Sequence, residues 1–331
     1  MSALTYSAVQ GNIRARLSRL LDGAAWRRLL EAATAAEVTA AIEREYGVAA
    51  RLPALQGWIA ASAHALVRFL PGDSRKLMAW YNRRFEIENL KAVLRAVHYR
   101  VDAMRARAAL IPLEGSGVRW EALLELGSLR AVIERLRGSA YARPLENAMQ
   151  RYQQEARLFP LEIALDLFYF QKLVRLTESL SRTEAAGARR FLGRSIAIQN
   201  LLWAYRYRIY GRMTPEQIIN YTLHRAFEAG LDTVRRIALG APLAVEAGRF
   251  GFEVPAGLSE VEALVEIELL AGRELWRRAI ASMTRPLFDL GGVLAYLWLL
   301  DAEVRDLLIV AEGKTMGLSG PEIARRMVRA A

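Results

Sequence analysis

Apolar residues return every three or four positions along almost the whole chain. Tyr6, Val9, Ile13, Leu17 and Leu20 open the pattern, and a repeat of that period lays its members along one face of an α-helix. Polar residues punctuate it where helices begin and end. Thr34 and Glu37 have the spacing of a capping box, and Gly47 stands where a C′ residue would close that helix. A segment without breaker residues runs from Ser74 to about Arg100, Ser128 precedes a helix that stops at Gly138, and Thr183 caps a segment reaching about Tyr210. Thr214-Pro215-Glu216 sets a capping side chain, a proline and an acid in the order of a helix start. Ser259 with Glu262, and Ser319-Gly320-Pro321-Glu322, predict two further starts.

Strand signals are few, and no Asn-Gly or Asp-Gly pair separates alternating runs. Leu161, Ile163, Leu165 and Leu167 do alternate. Their apolar pattern continues to Leu176 without a turn residue, too long for an ordinary strand, so it reads as a helix buried on several sides. Leu239 to Gly257 holds four glycines and two prolines and is expected to be irregular. The fold class is all-α.

Internal similarity divides the chain. Glu86-Ile-Glu-Asn89-Leu90-Lys-Ala-Val-Leu-Arg95, Ala197-Ile-Gln-Asn200-Leu201-Leu-Trp-Ala-Tyr-Arg206 and Glu303-Val-Arg-Asp306-Leu307-Leu-Ile-Val-Ala-Glu312 align on Asn89, Asn200 and Asp306, at spacings of 111 and 106 residues. A leucine follows each anchor, an acid precedes the first and third by three residues, and an arginine follows the first and second by six. Gly211 and Gly317 both lie 11 after their anchors, with Pro215 and Pro321 15 after. A fixed period of this kind predicts repeated structural units, here about 1–112, 113–222 and 223–331, in one helical domain. An acid and an amide three residues apart share one helical face and are expected to bond across to a neighbouring unit.

These segments, with Tyr6 to Leu21 and the closing Glu303 to Pro321, resemble the C-type subunit of the V/A-type rotary ATPases, the family to which the d-type subunit of eukaryotic V-ATPases belongs. The resemblance spans essentially the whole chain and rests on pattern more than on an invariant motif. It implies a funnel of three pseudo-symmetric helical units around a central socket. It also implies a non-catalytic rotor part, whose mouth receives the central-stalk subunits (D and F type) and whose base sits on the cytoplasmic ends of the proteolipid ring. Such a part couples ATP turnover to transport of protons or sodium ions while remaining peripheral to the membrane. This sequence departs from the pattern at Ala197, where the second unit would carry an acid.

Composition narrows the alternatives. The 331 residues carry a net charge of +11, with only four lysines among 46 basic residues. That balance fits an acidic partner or an anionic lipid surface, and equally the arginine bias of a whole proteome. There is no cysteine, hence no disulfide and no thiolate metal site. The longest apolar run, Leu290 to Leu300, is bounded by Asp289 and Asp301 and falls short of the roughly 20 residues that span a bilayer. The amino terminus has no basic stretch followed by an apolar run, so no signal peptide is expected.

Catalytic and cofactor patterns are missing. Gly313-Lys314-Thr315 ends like a phosphate loop, but Leu308 stands where the pattern requires glycine. His64, His98 and His224 have no metal-ligand spacing. Trp203, Tyr205, Tyr207 and Tyr210 interleave with Arg206 and Arg208, which would suit stacking on single-stranded nucleic acid. Yet Trp203, Tyr207 and Tyr210 share one helix face and read better as a packing stripe. No catalytic residue, cofactor, metal or small-molecule ligand is expected. An Arg-rich helical nucleic-acid-binding protein is the alternative, separable by the steep salt dependence of such binding.

Overall fold

The computed structural model describes residues 3–283 and 290–329; Asp289, which bounds the apolar run, lies outside them. The described residues form helices and connecting turns, with no strand among them. The alternating stretch around Leu161 belongs to the helix Phe159–Glu178, begun by Pro160 and buried at Leu161, Ile163 and Leu165. A proline in the first turn forfeits no hydrogen bond, because that N–H has no intrahelical partner.

The anchors lie on three long helices, Arg84–Tyr99, Arg194–Ile209 and Leu290–Thr315. Leu90, Leu201 and Leu307, each following its anchor, are completely buried. A second helix precedes each: Leu52–Val67, Phe159–Glu178 and Glu260–Met283. These preceding helices pack in a cycle. Phe159–Glu178 lies on the first anchor helix, Glu260–Met283 on the second, and Leu52–Val67 on the third. The last long helix is thereby held by the first part of the chain.

Several boundaries differ from expectation. The segment from Ser74 breaks at Arg83, giving helices Gly72–Asn82 and Arg84–Tyr99. No local breaker causes this. The Asn82 amide donates to Ala60 O (3.2 Å), and the Arg83 guanidinium reaches the Glu86 carboxylate and the Tyr141 hydroxyl, so tertiary bonds impose the turn. The helix expected from Thr183 starts at Arg182 with Ser181 as N-cap, and its Oγ donates to Glu184 (2.6 Å). It runs through a π turn at Arg189–Gly193 into the second anchor helix. The glycine-rich stretch after Leu239 contains a helix, Leu243–Arg249, because Leu243 and Ala247 have a core to enter.

Candidate functional site

Asn89, Asn200 and Asp306 are buried, and each holds backbone further along the chain. The Asn89 amide donates to Ile111 O (2.9 Å) and accepts from Ile111 N (2.7 Å). Asn200 donates to Leu223 O (2.9 Å) and Ala229 O (2.7 Å) and accepts from Leu223 N (2.7 Å). Asp306 accepts from Val328 N (2.8 Å) and Arg329 N (2.9 Å). The separations to Ile111, Leu223 and Val328 are 22, 23 and 22 residues. The residue types follow the partners: an amide matches one N–H and one C=O, whereas two consecutive N–H groups need the two oxygens of a carboxylate. Asn89 and Asp306 fasten chain within their own expected units, whereas Asn200 reaches Leu223 and Ala229, just past the expected boundary at 222.

The acids three residues earlier make the longer-range contacts. Glu86 accepts from the Tyr141 hydroxyl. Glu303 accepts from the Tyr46 hydroxyl (2.6 Å) and Leu21 N (3.0 Å), joining the last long helix to the first helices. Burial raises the Glu303 carboxyl to about 7, against the lowering effect of those two donors and the Arg329 charge. Burial likewise raises Asp306, opposed by its two N–H bonds. Ala197 holds the corresponding place in the second helix and is fully buried without polar contact to offer. The arginines six residues after the anchors pair with the neighbouring helix: Arg95 with Glu162 (2.5 Å) and Arg206 with Glu268 (2.8 Å).

Residues of all three anchor helices line one cavity of about 660 Å³. A residue advances 100° around a helix, so positions five and one before an anchor share one flank of its helix, roughly 100–140° around from the anchor. Five before the anchors stand Arg84, Ser195 and Asp301; one before, Glu88, Gln199 and Arg305; and eight before, Tyr81 at the end of the helix Gly72–Asn82, Leu192 in the π turn and Trp298. All nine line the cavity. Arg84 and Asp301 meet at 2.5 Å, and the guanidinium lies over the rings of Tyr81 (4.7 Å) and Phe85 (4.5 Å). Burial disfavours the Arg84 charge, but Asp301 and its neighbours outweigh it and raise the pKa. On one wall Lys91 joins Asp166 (2.6 Å) and Glu88 (3.1 Å). Burial lifts Asp166 to about 6 although Lys91 opposes it.

Sequence reasoning did not single out Arg84, Ser195, Asp301 or the layer holding Glu88. The signal was present: the alignment that brings Asn89, Asn200 and Asp306 together also aligns these residues, but their chemical types differ. Tyr46 and Tyr141 were missed because nothing local marks a phenol as the partner of a distant acid.

Other candidate features are absorbed into packing. Gly313, Lys314 and Thr315 lie inside the last long helix; the lysine donates to Leu30 O (2.6 Å) and the threonine to Ala311 O (3.0 Å). His98 bonds Tyr152, the exposed His224 bonds Ile219 O, and His64 is exposed. No group of residues that could hold a metal occurs among those described. Trp203 and Tyr207 pack edge-on against Phe170 and Phe159, while Tyr210 is exposed. Arg208 pairs with Glu260 (2.6 Å). Among the described residues no helix is long and apolar enough to cross a membrane.

A sequence model of the ATP synthase (C/AC39) subunit family matches residues 9–326. The chain belongs to that family. It is similar to the C-type subunit of the A-type ATP synthase of Methanocaldococcus jannaschii, with 24% identity covering 98% of this chain and 86% of that protein. It is also similar to the corresponding A-type ATP synthase subunit of Haloquadratum walsbyi, at 27% identity over 97% of both chains. The Halobacterium salinarum protein of the same name is 28% identical over 98% of this chain and 97% of its own. Within the C/AC39 family, the anchors and the cavity lie inside the matched region, as do the seams between the packed helices.

Proposed function

We propose that this chain is a non-catalytic rotor subunit of an A-type ATP synthase, with its cavity as the socket for the foot of the central stalk. In this reading three related units surround a pseudo-three-fold axis along the cavity. The stalk, of D and F type, enters from one end. The other end rests peripherally on the cytoplasmic face of a proteolipid ring, and rotation links ATP turnover to movement of protons or sodium ions.

One observation carries the reading: residues at two matching registers, five and one before the anchors, come from all three anchor helices and line a single cavity. A cylinder one helical turn high and as wide as a helix with its side chains encloses roughly 500 Å³, so 660 Å³ accommodates about one turn of a helical tip. Stiff packed helices closed in a cycle suit a part that carries torque. Tyr99, Tyr210 and Met316, each ten residues after its anchor, are 66%, 59% and 74% exposed at the helix ends. Apolar groups repeated at a matching register are what a surface covered in an assembly would carry.

The test is co-purification of the tagged chain with the stalk pair and with detergent-solubilised ring from the same genome. Capture of both supports the reading; capture of neither overturns it. The nucleic-acid alternative has lost its main feature, since Trp203 and Tyr207 are buried and Arg206 and Arg208 are paired within the chain.

A further inference from the structure

The three anchor helices set unlike charges into the cavity. Five residues before the anchors stand a cation, a neutral hydroxyl and an anion: Arg84, Ser195 and Asp301. One residue before stand an anion, a neutral amide and a cation: Glu88, Gln199 and Arg305. Each layer sums to zero, and the signs reverse between layers on the first and third helices. The second helix is neutral in both.

The two layers differ in availability. Arg84 and Asp301 neutralise one another at 2.5 Å, under the rings of Tyr81 and Phe85, and form a fixed floor. The other layer faces open space. The Glu88 side chain is 46% exposed and shares Lys91 with Asp166. Arg305 is exposed and Gln199 half-buried, and among the described residues neither side chain makes a hydrogen bond or ion pair. An occupant of the cavity would meet a different charge from each anchor helix in this layer. Like charges brought together penalise a wrong setting, and opposite charges favour the right one.

We propose that Glu88, Gln199 and Arg305 form an orienting key that seats the occupant in one of three rotational settings. The occupant is a helical tip with a basic side chain toward Glu88, an acidic one toward Arg305 and an uncharged surface toward Gln199. This rests on the reading of the cavity as the stalk socket. It adds that the joint between socket and stalk has a defined azimuth, fixed by electrostatics.

The chain's lack of cysteine makes azimuth measurable. A single cysteine is placed in turn at the exposed helix ends, Tyr99→Cys, Tyr210→Cys or Met316→Cys, and one is placed on the foot of the purified stalk pair. The expected result is disulfide cross-linking to one of the three positions. In Glu88→Gln/Arg305→Gln the cross-link spreads over all three. In Glu88→Arg/Arg305→Glu, which keeps the net charge, the preferred position changes or binding at low salt weakens at least tenfold. Arg305 is exposed, and Lys91 keeps Asp166 when Glu88 is replaced, so the helices keep their packing, checked by circular dichroism. Equal cross-linking in the unaltered chain, or an unchanged single position in both variants, overturns the key while the socket stands. Failure of the unaltered chain to bind the stalk pair overturns both.

Discussion

Asn89 and Ile111 exchange two hydrogen bonds, side-chain amide against backbone amide, at 2.9 and 2.7 Å in a fully buried setting. The pair joins the first anchor helix to the chain that leaves its unit. Replacing Asn89 with alanine strands the Ile111 N–H and C=O away from water. An unpaired buried polar group costs about 1–3 kcal/mol, so Asn89→Ala is expected to lose roughly 2–5 kcal/mol in urea unfolding. Asn89→Asp, which sets a carboxylate against the Ile111 carbonyl, is expected to be no better. Stability within 0.5 kcal/mol of the parent, on the order of the surface-substitution scatter, would show that the bond pair is incidental.

Glu303 predicts a pH dependence. Its folded value of about 7 lies above the ordinary 4.5, so the folded chain holds this proton more tightly than the unfolded chain. Stability relative to Glu303→Gln is therefore greatest below about pH 4.5, declines as pH rises toward 7, and levels off above it. The decline is on the order of 3 kcal/mol, from 1.36 kcal/mol per unit. Urea midpoints of the two proteins from pH 4 to 8 measure it. Parallel curves would mean that the carboxyl titrates alike in both states. Asp166, raised to about 6, contributes with the same sign to both proteins and cancels in the comparison.

The Arg84–Asp301 pair predicts strong non-additivity. Both side chains are about a quarter exposed, and removing one leaves a largely desolvated charge. Loss of one partner of a buried pair costs about 3–5 kcal/mol, whereas replacing both with apolar residues can be nearly neutral. Asp301→Leu and Arg84→Met are each expected to be more destabilising than the double variant. A double-mutant cycle by chemical denaturation decides this, and additive losses would contradict it.

Gly313 separates packing from nucleotide chemistry. A Cβ there would lie 2.6 Å from Ile323 Cγ1 and 2.9 Å from its Cδ1. Gly313→Ala is therefore expected to lose about 1–3 kcal/mol through overpacking. Gly11→Ala, in helix Ala3–Leu17 with nothing within 4 Å, is expected to gain about 0.5–1 kcal/mol from helix propensity. Thermal unfolding of both variants tests the contrast.

Helix starts were legible because capping chemistry is local. Thr214, Ser259 and Ser319 all cap as their spacing predicts. Glu37 reaches one residue further back than a capping box requires, to Ala33 N. The break at Arg83 was not legible, since bonds to Ala60 and Tyr141 create it. Gly211 and Gly317 align in sequence but serve different ends. Gly317 adopts φ +72°, whereas a Cβ on Gly211 would sit 2.7 Å from Tyr207 O, and the left-handed residue there is Arg212. The anchors were found because their residue types recur. The cavity layers escaped notice because one register carries arginine, serine and aspartate, so position is shared and chemistry is not.

The last long helix and the residues after it grip the first turns of the chain: Glu303 binds Leu21 N, Lys314 binds Leu30 O, and Arg329 binds Leu21 O. The seam between the last long helix and the early helices is thus fastened by hydrogen bonds as the interior seams are. A twisting load arriving at any one wall would then spread around the whole circumference through these fastened seams.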